Sequence, residues 1–186
     1  ELYRRAFEIT SAKAPKSGSH AESVFNLGFA AMALGRRGEA RRLLEQALEL
    51  RRAVAGDDSA AGITLYYLGK MAREDGDLAG AAALQGRALE IRRARQPGTR
   101  WLVESLHEMG RIERARGNLA AARTCYLDAL EALDAQVRAL GGGDETKSRF
   151  RGYFSELSSE AVDLLLDLKR PDEAFGVLER SRARAF

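Results

Sequence analysis

The chain has 186 residues, 45% of them hydrophobic and 31% charged, with three prolines; that is too apolar for a disordered chain, favours helices over an all-β sandwich, and allows one or two domains or a short repeat array. Its 30 basic and 27 acidic side chains are interspersed, leaving a net charge of +3 and no basic stripe with aromatic platforms of the kind a nucleic-acid partner would need. One cysteine, Cys125, excludes an internal disulfide framework, and no apolar run approaches the ~20 residues that span a bilayer, so the reading is a cytoplasmic chain with no membrane partner.

In chain order, residues 1–19 read as the second helix of a partial repeat, followed by repeats at 20–58, 59–98 and 99–140. A shift of 41 residues superimposes Ala6-Phe7-Glu8-Ile9 on Ala47-Leu48-Glu49-Leu50, Ala88-Leu89-Glu90-Ile91 and Ala129-Leu130-Glu131-Ala132. The same shift aligns Gly28 with Gly69 and Gly110, Gly35 with Gly76 and Gly117, and Ala40 with Ala81 and Ala122. Recurrence of small residues at several places in one unit signals stacked supersecondary elements. Within each unit two apolar stripes of helical period, such as Val24, Leu27, Ala31, Leu34 and then Ala40, Leu43, Leu44, Ala47, Leu48, are separated by a turn. Glycine at 35, 76 and 117 suits a left-handed helix end, and Asp77 and Asn118 follow as N-caps. Each unit is therefore a helical hairpin. Helix axes approach to about 8 Å only over small side chains, which places Gly28 opposite Ala40 and Ala47 against the next hairpin.

After Ala129 the period slips. Pro171-Asp172-Glu173-Ala174 opens another second helix, with Ala174 matching Ala122 at a distance of 52. The inserted residues include Gly141-Gly142-Gly143, so residues 141–147 read as an exposed loop and 148–186 as a final repeat. No lysine–serine or lysine–threonine pair and no preceding strand complete a phosphate-binding loop there, and no cofactor is expected. The chain starts at Glu1 and ends at Phe186 inside helical patterns, as expected of a piece of a longer protein.

The residues Val24, Leu27-Gly28, Ala31, Ala40 and Leu44 resemble the tetratricopeptide repeat, as do Leu65, Leu68-Gly69, Ala72, Ala81, Gln85 and Leu106, Met109-Gly110, Glu113, Ala122, Tyr126. Gln85 and Glu113 depart from it at usually apolar places. The 41-residue unit looks like the kinesin-light-chain type, whose extra residues add about two helical turns. The resemblance implies an all-α fold, a right-handed superhelical array of antiparallel hairpins whose first helices line a concave binding face. Glu179-Arg180-Ser181-Arg182-Ala183-Arg184 is similar to the helix that closes such arrays before a CHAT domain, a caspase-like protease fold of bacterial proteins.

No catalytic chemistry is legible. His20 and His107 have no metal-ligating neighbours at ligand spacing, and no metal site is expected. Cys125 falls on the packed stripe with Leu43 and Leu84 and reads as a buried small hydrophobe, with His107 pointing away from the seam. Candidate contacts are the first-helix residues one step round from the buried stripe: Phe25, Phe29 and Met32, then Tyr66, Lys70 and Arg73, then His107, Arg111 and Arg114. An apolar patch beside a cationic stretch fits a protein or peptide partner with an apolar anchor followed by acidic residues. Two alternatives stay open. Phe25 and Phe29 pack beneath residues 1–13, and the arginines pair with Glu74, Glu104 and Glu108 as ordinary solvated side chains. The reading is an interaction scaffold regulating an adjoining effector such as a CHAT protease, or the sensor region of another bacterial signalling protein, with the partner being a separate protein or the downstream domain itself. Uncapped ends make self-association a further expectation.

Overall fold

The computed structural model describes the backbone of residues 1–139 and 144–185 and the side chains of residues 1–139 and 155–182. Every regular element among them is an α-helix: α1 (Leu2–Lys13), α2 (Gly18–Ala33), α3 (Arg37–Ala55), α4 (Ser59–Glu74), α5 (Leu78–Arg95), α6 (Arg100–Ala115), α7 (Leu119–Ala139), α8 (Asp144–Asp167) and α9 (Pro171–Ala185). They pack as antiparallel pairs, α2 with α3, α4 with α5, α6 with α7 and α8 with α9. First helices start at residues 18, 59 and 100 and second helices at 37, 78 and 119, both at the 41-residue spacing of the sequence. Two compact units result, Glu1–Arg95 and Gln96–Phe186. Residues 141–143 of the expected loop lie outside the described residues, whereas Asp144 to Lys147, expected in that loop, already form the first turn of α8.

The hairpin turns are built alike. Gly35, Gly76 and Gly117 have φ of 73°, 84° and 79°, a left-handed conformation in which a Cβ would be strained. In each turn the glycine N–H and the next residue's N–H close back onto the last helical turn: Gly35 to Met32 and Arg36 to Ala31, Gly76 to Arg73 and Asp77 to Ala72, Gly117 to Arg114 and Asn118 to Glu113. That pairing satisfies carbonyls that would otherwise be left open at the helix end. Asp77 then caps α5, its carboxylate accepting the Gly80 N–H at 2.9 Å, as Ser17 and Asp58 cap α2 and α4. The departure at Glu113 has its reason here, since the buried carboxylate accepts from Arg116 at 2.7 Å and from the Asn118 amide at 2.6 Å and so ties the turn to its helix.

In the last hairpin the same turn is made without glycine. Lys169 has φ 57°, and its N–H and that of Arg170 bond to Leu166 and Leu165. A left-handed conformation costs a residue with a Cβ about 1–2 kcal/mol, partly offset by the greater unfolded-state freedom of glycine. Lys169→Gly is therefore expected to raise stability by a few tenths to about 1 kcal/mol in urea denaturation; a loss would mean that the lysine side chain stabilises the turn.

Close packing within each pair depends on the first-helix glycines. A Cβ on Gly28 would lie 3.1 Å from Leu43 Cβ and 3.2 Å from Leu44 Cγ, so this glycine faces α3 about a turn beyond Ala40, correcting the expected pairing. Gly69 faces the Ala81 carbonyl and Gln85, and Gly110 lies against the Tyr126 ring. Leu44, Gln85 and Tyr126 are thus one recurring position, filled by whatever covers the glycine. Val24, Leu44, Ala47, Leu65 and Met71 form the fully buried centre of the first unit, each large aliphatic side chain contributing about 1.5–3 kcal/mol by leaving water. Cys125 is half-buried, not enclosed as its place on the stripe suggested, because α7 presents that position at the margin of its packed face.

Candidate functional site

The nine expected contact residues fall on α2, α4 and α6, and the two units treat them differently. In the first unit Phe25 and Phe29, one turn apart on α2, stack with centroids 6.4 Å apart. Both meet Tyr67 of α4, at 5.9 and 5.3 Å, the second contact edge-on, and Tyr67 in turn meets Tyr66 at 5.2 Å. Such offset and edge-on pairs add about 0.5–1.5 kcal/mol to the burial of the rings. The rings rest against α4, not beneath α1 as the alternative had it; α1 instead uses Phe7, which packs on His20 at 5.4 Å. Phe29 is 39% exposed, while Phe25, Met32, Tyr66, Lys70 and Arg73 are half-buried. The result is a partly solvated aromatic face with a lysine and an arginine on α4.

Two buried arginines lie behind these rings. The Arg51 guanidinium sits 4.3 Å from the Phe25 centroid and donates to the Ala60 carbonyl and the Thr64 hydroxyl, both at 2.6 Å. One period on, Arg92 sits 4.9 Å from the Tyr66 centroid. Burial pulls the Arg51 guanidinium below its ordinary value, opposed by the charges of Asp58 and Glu22. Neither arginine nor Tyr67 stood out in the sequence. The available signal was that 25 to 66 and 51 to 92 are both single periods, so that an aromatic on the first helix and an arginine on the second recur together.

In the second unit the expected contacts already have partners on α8. His107 is 2% exposed, with its Nε2 3.0 Å from Glu160 and its ring 5.7 Å from that of Tyr126. This corrects the expectation that it points away from the seam: α7 and α8 enclose it. Arg111 donates to Glu160 from Nε at 3.0 Å and Nη2 at 2.6 Å and to Glu156 at 2.5 Å, and Tyr126 donates its hydroxyl to Glu160 at 3.1 Å. Arg114 pairs with Asp167 at 2.7 Å. Burial by itself would raise the Glu160 carboxyl, but the hydrogen bonds and charges of His107 and Arg111 outweigh it and hold the group well below the usual carboxylate range. Burial, then the Glu160 charge, pushes the Tyr126 phenol well above its ordinary value. Of the acids proposed as partners for the groove arginines, Glu108 lies 3.8 Å from Arg111, while Glu104 pairs with Arg100 and Glu74 with Arg37.

Among the described residues no cluster of histidine, cysteine and carboxylates has the arrangement to hold a metal ion, and no helix is long and apolar enough to cross a membrane. The site offers surface, charge and aromatic faces, the materials of recognition.

Residues 19–94 match the family model described as tetratricopeptide repeat. That match covers less than half of the chain. The fold recurs in solved structures of low sequence identity. The nearly identical TPR-like repeats of a Podosopora anserina protein assigned as a kinesin light chain share 18% identity at a TM-score of 0.72, covering 98% of this chain and 83% of that one. BtubC (BKLC) from P. vanneervenii gives 14% identity and a TM-score of 0.79, over 98% of this chain and 70% of its own. MamA gives 15% and 0.64, over 97% and 85%. No curated protein matches the sequence. Tetratricopeptide repeats typically serve as protein-interaction scaffolds and not as catalysts.

Proposed function

We propose that this chain binds a peptide or partner helix on the first-helix face of residues 1–95, through an apolar anchor on Phe25, Phe29, Met32, Tyr66 and Tyr67 and a carboxylate toward Lys70. The observation that carries the reading is the partly exposed aromatic cluster, with Phe29 at its outer edge. Arg51 and Arg92 stand behind the Phe25 and Tyr66 rings, so the ring quadrupoles already face a cation and an aliphatic, aromatic or acidic contact suits the outer side better than a second cation. On this reading His107, Arg111 and Arg114 contribute less, since Glu156, Glu160 and Asp167 already engage them. The binding region acts in the cytoplasm on an adjoining effector, such as a CHAT protease, by changing its exposure when the face is occupied; residues 1–186 themselves carry out no reaction.

The test is a synthetic peptide array in which one aromatic or aliphatic residue precedes acidic residues, with charge-reversed copies alongside. Binding to the acidic set is expected to weaken as salt rises and to fall by about tenfold or more in a Phe29→Asp, Lys70→Glu double variant. Equal binding of both peptide sets, or affinity unchanged in the double variant, would sink the proposal.

A further inference from the structure

The last hairpin keeps the buried alanine of the second helix but departs from the preceding ones at four other recurring positions. At the 52-residue shift that matches Ala174 to Ala122, Val162 stands where Gly28, Gly69 and Gly110 admit the second helix. Ser158 stands where Val24, Leu65 and Leu106 fill the core; it is buried, and its hydroxyl has no hydrogen-bond partner among the described residues. Lys169 takes the left-handed turn position that glycine holds in the earlier hairpins. Leu178, the counterpart of the buried Leu44 and Tyr126, is 42% exposed. Ser158 leaves a polar group unsatisfied, Lys169 holds a costly backbone angle and Leu178 forgoes burial, and local opening starts where such deficits gather.

On α8, Leu157, Leu164 and Leu165 are buried, and one concentrated ionic contact ties the helix to α6 and α7. Glu160 accepts from His107, Arg111 and Tyr126, with Glu156–Arg111 and Arg114–Asp167 beside it. Glu156 and Asp167 are exposed and Glu160 is partly so, which leaves the contact open to screening by salt. We infer that the α8–α9 hairpin is an ion-latched element that opens on its own while α6 and α7 stay folded, with Glu160 as the latch. Opening frees the carboxylate-binding side of α6, namely His107, Arg111 and Arg114, and so couples the order of residues 155–182 to the ionic surroundings.

Amide hydrogen exchange on the whole chain, followed by peptide in about 0.05 M and about 1 M NaCl, tests this. Amides within residues 157–167 are expected to exchange about tenfold or more faster than those within residues 103–113 and 122–133, with the gap widening about threefold at the higher salt. Glu160→Gln is expected to cut that salt response by about half or more, and Ser158→Ala, which removes the unsatisfied hydroxyl, to slow exchange in the hairpin alone. Should Glu160→Gln fail to fold, the wild-type gap and the Ser158→Ala effect still decide the matter. Equal protection of the two hairpins in the wild type, or a gap indifferent to salt, overturns the inference.

Discussion

Gly110→Leu is expected to cost about 3 kcal/mol or more and to unfold the α6–α7 pair at moderate temperature. A Cβ at this position would sit 2.5 Å from Tyr126 Cε1 and 2.6 Å from Cδ1, closer than carbon atoms can approach. The obstacle is a buried aromatic ring whose hydroxyl is tethered to Glu160, so it cannot swing aside as a flexible chain would. Even Gly110→Ala should cost about 1–3 kcal/mol, since one methyl already meets the ring. The size of the effect follows from what covers each glycine. At Gly28 the nearest atoms are 3.1–3.3 Å away on leucines, which can yield by a few tenths of an ångström, and Gly28→Ala should be milder. Gly38, in the first turn of α3 with nothing within 4 Å, supplies the opposite sign: an alanine there should stabilise by a few tenths of a kcal/mol, up to about 1 kcal/mol, through helix propensity alone. Urea denaturation of the set measures the order. If Gly110→Leu proves no worse than Gly38→Leu, the second helix does not cross at that glycine.

Glu160→Ala is the second large effect, about 2–4 kcal/mol, because it strands the buried partners of a half-buried carboxylate. His107 and Tyr126 lose an acceptor where water has poor access, and Arg111 keeps Glu156 and the more distant Glu108. Glu160→Gln, which retains oxygen as an acceptor and loses the charge, should cost less, about 1–2 kcal/mol. The pH dependence has a definite sign. A carboxyl held below its ordinary value stabilises the folded chain fully above that value, near pH 4.5 for glutamate, and loses the contribution as pH falls toward the lowered folded value. Unfolding free energy of the wild type should therefore fall below about pH 4.5 more steeply than that of Glu160→Gln. Parallel profiles for the two would show that the carboxylate is not preferentially ionised in the folded chain.

Much of the fold was legible because glycine and alanine recur for geometric reasons. Gly35, Gly76 and Gly117 are demanded by a backbone angle and Gly28, Gly69 and Gly110 by the approach of a neighbouring helix; both demands act on single residues at fixed spacing, which a self-comparison detects. The aromatic face was legible in part. Phe25 and Phe29 declared themselves by helical position, but Tyr67 lies one step from the residue the period selected and joins the cluster only because α4 packs beside α2. Arg51 and Arg92 were hidden by the habit of reading arginine as surface, although a long side chain can bury its stem and lay a guanidinium on a ring.

The Glu160 centre was out of reach for a different reason. Its donors come from α6 and α7 and its acceptor from α8, beyond the point where the 41-residue register breaks, so no shift of the sequence on itself brings them together. Knowing that His107 is on α6 gave no indication that a carboxylate would enclose it. The correction at Gly28, which faces Leu43 and Leu44 instead of Ala40, has a similar origin: spacing identifies which residues recur, whereas the turn length and crossing geometry decide which of them meet.

Recognition by the first-helix face of residues 1–95 is tested most directly by a nuclear magnetic resonance titration of the whole chain with an acidic, aromatic-anchored peptide. Ring and methyl signals of Phe25, Phe29, Met32, Tyr66 and Tyr67 should shift together with the Lys70 side chain, saturating at one peptide per chain. Shifts gathered on the outer residues of α3 and α5, such as Arg42 and Glu90, with the aromatic face unmoved, would contradict it.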